Sequence, residues 1–100
     1  MRRIVLSRRS SNKLSKLLEY LENEWSLKAR NDFLKRLNKS LSQIQNFPES
    51  SSETDYVKGL RMLVITKQTS IFYRFNSKTI TVVTLFDNRM NPTGILKKTK

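Results

Sequence analysis

The chain has 100 residues, 37% of them hydrophobic, and its 20 Lys and Arg against 8 Asp and Glu give a net charge of +12. That length suits one domain with one core and no separate cofactor domain, and the composition is neither that of a membrane-embedded chain nor that of a disordered one. With no cysteine and no histidine, disulfides, thiolate chemistry, Cys- or His-ligated zinc and imidazole catalysis are excluded, while the charge favours a polyanionic partner such as RNA, DNA, an acidic protein or an anionic membrane face.

Met1-Arg2-Arg3-Ile4-Val5-Leu6-Ser7-Arg8-Arg9 begins like a signal peptide, but its apolar stretch ends after three residues, so no export signal is read and a cytoplasmic location is expected. Ile4 to Leu6 reads instead as a short N-terminal strand. Ser10-Ser11-Asn12 supplies N-cap candidates, because short side-chain oxygens take up free backbone N–H groups. From Lys13 the apolar period is helical. Leu14, Leu17, Leu18, Leu21 and Trp25 fall on one face, with Lys13, Lys16, Glu19, Glu22 and Asn23 on the other. Ser26 caps a second helix, in which Ala29, Phe33, Leu37, Leu41 and Ile44 keep the core spacing and Leu34 widens the stripe. Phe47-Pro48 ends it, since the residue before proline disfavours the α conformation. The two helices form a hairpin.

Glu49 to Asp55 holds Ser, Thr and acids and reads as an exposed loop. Three strands are predicted next: Leu60 to Thr66, Ser70 to Phe75 and Thr79 to Phe86, joined through Lys67-Gln68-Thr69 and the hairpin turn Asn76-Ser77-Lys78. Their Ile, Val, Phe, Tyr and Thr content suits a pleated, half-buried surface. Turns this tight require antiparallel pairing. The expected fold is α+β: an N-terminal strand, a two-helix hairpin and a three-stranded antiparallel meander, with the helices packed on one face of a twisted sheet. Leu17, Leu21, Phe33, Leu37, Val82 and Leu85 are expected to share its core, with the other helical leucines and Trp25. The whole of 1–100 is one domain, and 91–100 is a basic tail expected to fray. The longest apolar runs, such as Met62-Leu63-Val64-Ile65, are far too short to span a bilayer.

The strand half carries no glycine-rich phosphate loop, no carboxylate pair and no nucleophile–histidine arrangement. Basic and phenolic groups remain. Arg61, Lys67, Arg74 and Arg89 punctuate the strands or their ends, and a guanidinium fork matches phosphate or carboxylate. Several arginines around one groove would bind an RNA backbone and offset charge in a phosphoryl transition state. Tyr73, beside Arg74, would stack on a base or donate a hydrogen bond. The plain alternative is that each cation points to water and that Tyr73 is core.

The succession Tyr20-Leu21-Glu22-Asn23-Glu24-Trp25, then Ala29, Phe33 and Leu37, then Ile44 to Phe47-Pro48, Gly59-Leu60-Arg61, Phe72-Tyr73-Arg74-Phe75 and Leu85-Phe86-Asp87-Asn88-Arg89-Met90-Asn91-Pro92 resembles the RelE/ParE toxins of type II toxin–antitoxin systems over nearly the whole chain. The resemblance implies a helical hairpin on a twisted antiparallel sheet, a cognate acidic antitoxin, and no small-molecule cofactor or metal. It leaves two targets open. RelE-like members cleave messenger RNA in the ribosomal A site, where the 2′-hydroxyl attacks the adjacent phosphate aided by basic side chains. ParE-like members inhibit DNA gyrase. Arg61, Arg74 and Arg89 match basic positions of the family and are its implied catalytic or target-binding residues, with Lys67, Tyr73 and Asn88 behind them. Met90-Asn91-Pro92 follows Arg89 where several nuclease members carry a C-terminal Tyr or His-Tyr. That departure and the Glu-Trp ending of the first helix place the ParE-like reading ahead of the RelE-like one. Outside the family, a non-catalytic basic nucleic-acid-binding module is the other reading, and its mark would be a salt-dependent, sequence-indifferent affinity.

Overall fold

The computed structural model describes residues 2–55 and 57–87. In chain order it contains β1 (Arg3–Leu6), α1 (Arg8–Glu24), α2 (Leu27–Asn46), a 3-10 turn (Pro48–Ser50), β2 (Arg61–Val64), β3 (Thr69–Phe75) and β4 (Thr79–Asp87). The four strands form one sheet in the order β1-β4-β3-β2. β2, β3 and β4 are antiparallel neighbours, as their tight turns require, while β1 lies parallel to β4. A parallel pair needs a crossover; the helical hairpin carries the chain from β1 across the sheet to β2 at its far edge, and β3 brings it back to β4 beside β1. The fold is therefore α+β with a mixed sheet.

The first helix starts earlier than the serine cluster suggested. Ser7, not Ser10 to Asn12, is its N-cap: Ser7 Oγ accepts from Ser10 N–H at 3.0 Å. Ser10 is fully buried inside the first turn, where its hydroxyl lies 3.0 Å from both Val82 O and Ser7 O and shares its one proton between them. α2 is capped by Ser26, whose Oγ accepts from Ala29 N–H at 3.0 Å. It ends at Phe47, whose N–H bonds to Gln43 O just before Pro48.

The core lies between hairpin and sheet. Phe33, Leu37 and Ile44 of α2 meet Ile71, Tyr73, Ile80, Val82 and Leu85, with Leu14, Leu17, Leu18 and Leu21 of α1 packed against them. Trp25 departs from the expected stripe. α1 stops at Glu24, Trp25 takes a non-helical conformation as its C-cap, and its side chain is 72% exposed. Projecting the helical period one residue past the helix end placed the ring wrongly.

A bulge in β4 decides which strand residues reach this core. Phe72 pairs with Thr84 but Tyr73 pairs with Val82, so Val83 is the extra residue. In an unbroken strand Val82 and Leu85 would face opposite ways, whereas the bulge turns both toward the helices. The outer face of the sheet is in two parts. Leu60, Phe72 and Phe86, covered by Val57 and Val83, form a second apolar cluster. Toward the β3–β4 turn the same face carries Arg3, Arg74, Thr79 and Thr81, with Val5 beside Thr81.

The loop after α2 is tied to the sheet edge rather than free. The backbone at Glu53 forms an antiparallel bridge with that at Arg61, Thr54 N–H donates to Leu60 O at 2.7 Å, and Met62 N–H donates to Ser52 O at 3.3 Å. Gly59 has φ +81, a left-handed conformation that suits glycine, and its N–H donates to the Glu53 carboxylate. Among the described residues no helix is long and apolar enough to cross a membrane.

Candidate functional site

The strand ends sort the cations into two places. The β2–β3 turn lies beside the end of β4, where Thr69 pairs with Asp87. At this end a groove of about 750 Å³ opens between the helical hairpin and the turn. Leu17, Leu21, Phe33 and Leu85 give it an apolar lining, Tyr20 and Trp25 add exposed aromatic rings, and Lys13, Arg36 and Lys67 supply positive charge. Asp32 and Asp87 also line it. Lys28 donates to the Asp32 carboxylate at 2.9 Å and, with Lys35 and Arg36 near, lowers its carboxyl pKa below the ordinary value. The groove thus presents apolar and aromatic area with a positive surround, which fits an amphipathic segment carrying acids.

Arg61 and Arg74 lie elsewhere and do not converge. Arg61 pairs with Tyr73, and paired residues of a ladder share a face, so Arg61 stands on the helix side. Arg74, one residue beyond Tyr73, points to the outer face. Arg61 is half-buried, its guanidinium 5.5 Å from the Phe75 ring centroid. It donates to Ser51 O and reaches Glu49 O at 3.5 Å, which ties the loop after α2 to the sheet. Arg2 lies against the same ring at 5.5 Å and donates from Nε to Asn76 O at 2.7 Å. Arg74 is exposed.

Tyr73 is fully buried and its hydroxyl donates to Pro48 O at 2.7 Å. The ring is committed to the core and has no surface on which a base would stack. Lys67 belongs to the groove. Arg89, Asn88 and the tail 91–100 lie outside the described residues. The groove residues Lys13, Tyr20, Trp25 and Arg36 were not singled out from the sequence as a site. The one available signal was an aromatic pair at the end of a helix, and helical spacing made Trp25 look like core. Among the described residues no three acidic side chains come together to hold a metal ion.

The profile of the ParE toxin of type II toxin–antitoxin systems (parDE) matches residues 4–92. No curated protein matches the sequence. Among solved structures, a chain of the chromosomal ParDE system from P. aeruginosa is 23% identical, with 87% of this chain and 96% of that one covered at a TM-score of 0.64. The YoeB dimer from Staphylococcus aureus shares 12% identity, over 83% of this chain and 92% of that one, at 0.61. YafQ from E. coli shares 11% over 89% and 96%, also at 0.61. At these identities the three likenesses speak for the fold.

Proposed function

The chain belongs to the ParE toxin family of type II toxin–antitoxin systems, and from that premise we propose that it arrests growth by inhibiting DNA gyrase and is silenced when an acidic antitoxin segment covers its groove. The observation that carries the choice of target is the placement of Arg61 and Arg74 on opposite faces of the sheet. Cleavage by a 2′-hydroxyl needs donors converging on one phosphate, and these two do not converge. The absence of histidine from the whole chain removes the commonest proton carrier as well. In this reading Arg74 and Lys67 contact the acidic target directly, with Arg89, and Arg61 acts by holding the loop at Glu49 and Ser51.

The antitoxin segment is acidic because the groove surround is basic, and amphipathic because the lining is apolar. It orders on binding. The test expresses the chain in a susceptible bacterium and follows DNA-damage signalling and ribosome-associated transcript cleavage together, alongside supercoiling by purified gyrase. Early damage signalling with inhibited supercoiling is expected. Transcripts cut at ribosomes with gyrase unaffected would replace this reading by the RelE-like one.

A further inference from the structure

The polar half of the outer sheet face is a separate feature from the groove. Arg3 pairs with Thr79 and Val5 with Thr81 across β1 and β4, and Arg74 pairs with Thr81 across β4 and β3. Since partners share a face and Ile4 and Phe75 face the helix-side core, Arg3, Thr79, Thr81 and Arg74 all lie on the outer face. Strand spacing and rise put the Arg3 and Arg74 Cα atoms about 12 Å apart, with β4 between them. Lys78 lies in the adjoining turn at the edge of the patch, its carbonyl accepting from Arg3 N–H at 2.9 Å. Arg3, Arg74 and Lys78 are exposed, and none forms an ion pair among the described residues.

The acids are kept away. No carboxylate occurs in residues 2–18 or 60–86, which include β1, β2, β3 and all of β4 but its last residue. The open half of this face is therefore a cationic surface with threonine hydroxyls between its arginines. Leu60, Phe72, Phe86, Val57 and Val83 are packed into the other half, and in the open half the half-buried Val5, beside Thr81, is the apolar side chain among the cations and hydroxyls.

We infer that this patch binds the phosphodiester backbone of a nucleic acid. Arg, Lys and Thr are among the side chains that contact phosphate oxygens, and such contacts hold the backbone without carrying sequence information. The Arg3–Arg74 span covers about three nucleotides at about 3.4 Å of rise each. The patch shares Arg74 with the proposed target contact but differs in partner. Antitoxin capture and growth arrest test that reading, and oligonucleotide binding tests this one.

The test measures the fluorescence anisotropy of a short labelled single-stranded RNA and of a DNA duplex of equal length, with polyglutamate as competitor. Three phosphate contacts predict an affinity for the single strand that falls about twentyfold between about 50 and 200 mM salt. The triple variant Arg3→Ala/Arg74→Ala/Lys78→Ala, checked for folding by circular dichroism, should reduce that slope by about 2. The control Lys16→Ala/Lys35→Ala/Lys39→Ala, which removes equal charge from the exposed faces of the helices, should leave it near the parent value. RNA bound more tightly than duplex, or the reverse, identifies which backbone the patch takes. Equal loss in the control, equal affinity for polyglutamate, or no binding at the lower salt would overturn the inference.

Discussion

Ser7 and Ser10 show how much one hydroxyl can decide. Ser7 Oγ caps α1 and donates to Val83 O at 2.6 Å, and its N–H donates to Val82 O at 3.0 Å. Ser10 Oγ, fully buried, also reaches Val82 O. The carbonyls at the β4 bulge thus find donors at the start of a helix. We expect Ser7→Ala to cost about 1–2 kcal/mol, as loss of a cap does, and Ser10→Ala about 1 kcal/mol, because Val82 O keeps the Ser7 N–H. Urea unfolding checks the order, and a Ser10→Ala cost exceeding that of Ser7→Ala would mean the cap is not the anchor. Tyr73→Phe is the companion case. It should cost about 1 kcal/mol through the lost bond to Pro48 O and leave growth inhibition by the folded variant intact. A folded, stable Tyr73→Phe protein that had lost toxicity would return Tyr73 to the site.

At the scale of elements, periodicity gave the layers but not the places where a period breaks. The hairpin was legible because Phe33, Leu37 and Ile44 keep helical spacing to the last turn, and the meander because its strands are β-rich between short turns. The bulge at Val83 was not legible: Val82 and Leu85 were both read as core, and nothing local says how opposite parities can share a face. The pairing of β1 was equally hidden, since register with a strand more than seventy residues away leaves no local trace. The site was the least legible part. Arg61 and Arg74 announce themselves by type, but only the ladder shows them facing opposite ways, and Trp25 looked like core because the helix end was not visible. Two substitutions separate the roles of the helical aromatics. Phe33→Ala should cost about 3–5 kcal/mol, the loss of a buried ring and the cavity it leaves. Trp25→Ala, at an exposed ring, should change stability by less than about 0.5 kcal/mol yet weaken antitoxin capture at least tenfold, as loss of an aromatic anchor does. Thermal unfolding and pull-down with the antitoxin read the two effects. Undiminished capture by Trp25→Ala would move the antitoxin away from this groove.

Across the whole molecule the eight carboxylates are segregated. Glu19, Glu22, Glu24 and Asp32 sit on the helical hairpin, Glu49, Glu53 and Asp55 in the loop after α2, and Asp87 ends β4. The helical hairpin carries two ion pairs, Lys28 with Asp32 at 2.9 Å and Arg30 with Glu22 at 3.5 Å, both open enough to solvent to be of little worth to stability. With 20 Lys and Arg against 8 Asp and Glu, the net charge of +12 costs the folded state self-repulsion. In the proposed complex an acidic antitoxin segment over the groove would relieve that repulsion, so binding should stabilise the toxin beyond what its apolar contacts supply. The long-range field acts before contact, whereas the apolar lining acts after it, and salt separates the two. Screening shortens the field to about 8 Å at physiological ionic strength. Raising salt from about 50 to 500 mM should therefore slow antitoxin association by roughly tenfold or more and leave dissociation within about threefold. Arg36→Ala, which removes an exposed cation from the groove, should reduce the association rate and its salt dependence together. Stopped-flow association and surface-plasmon dissociation measure these rates. A salt effect confined to dissociation would mean that close ion pairs, and not the field of the whole chain, hold the complex together.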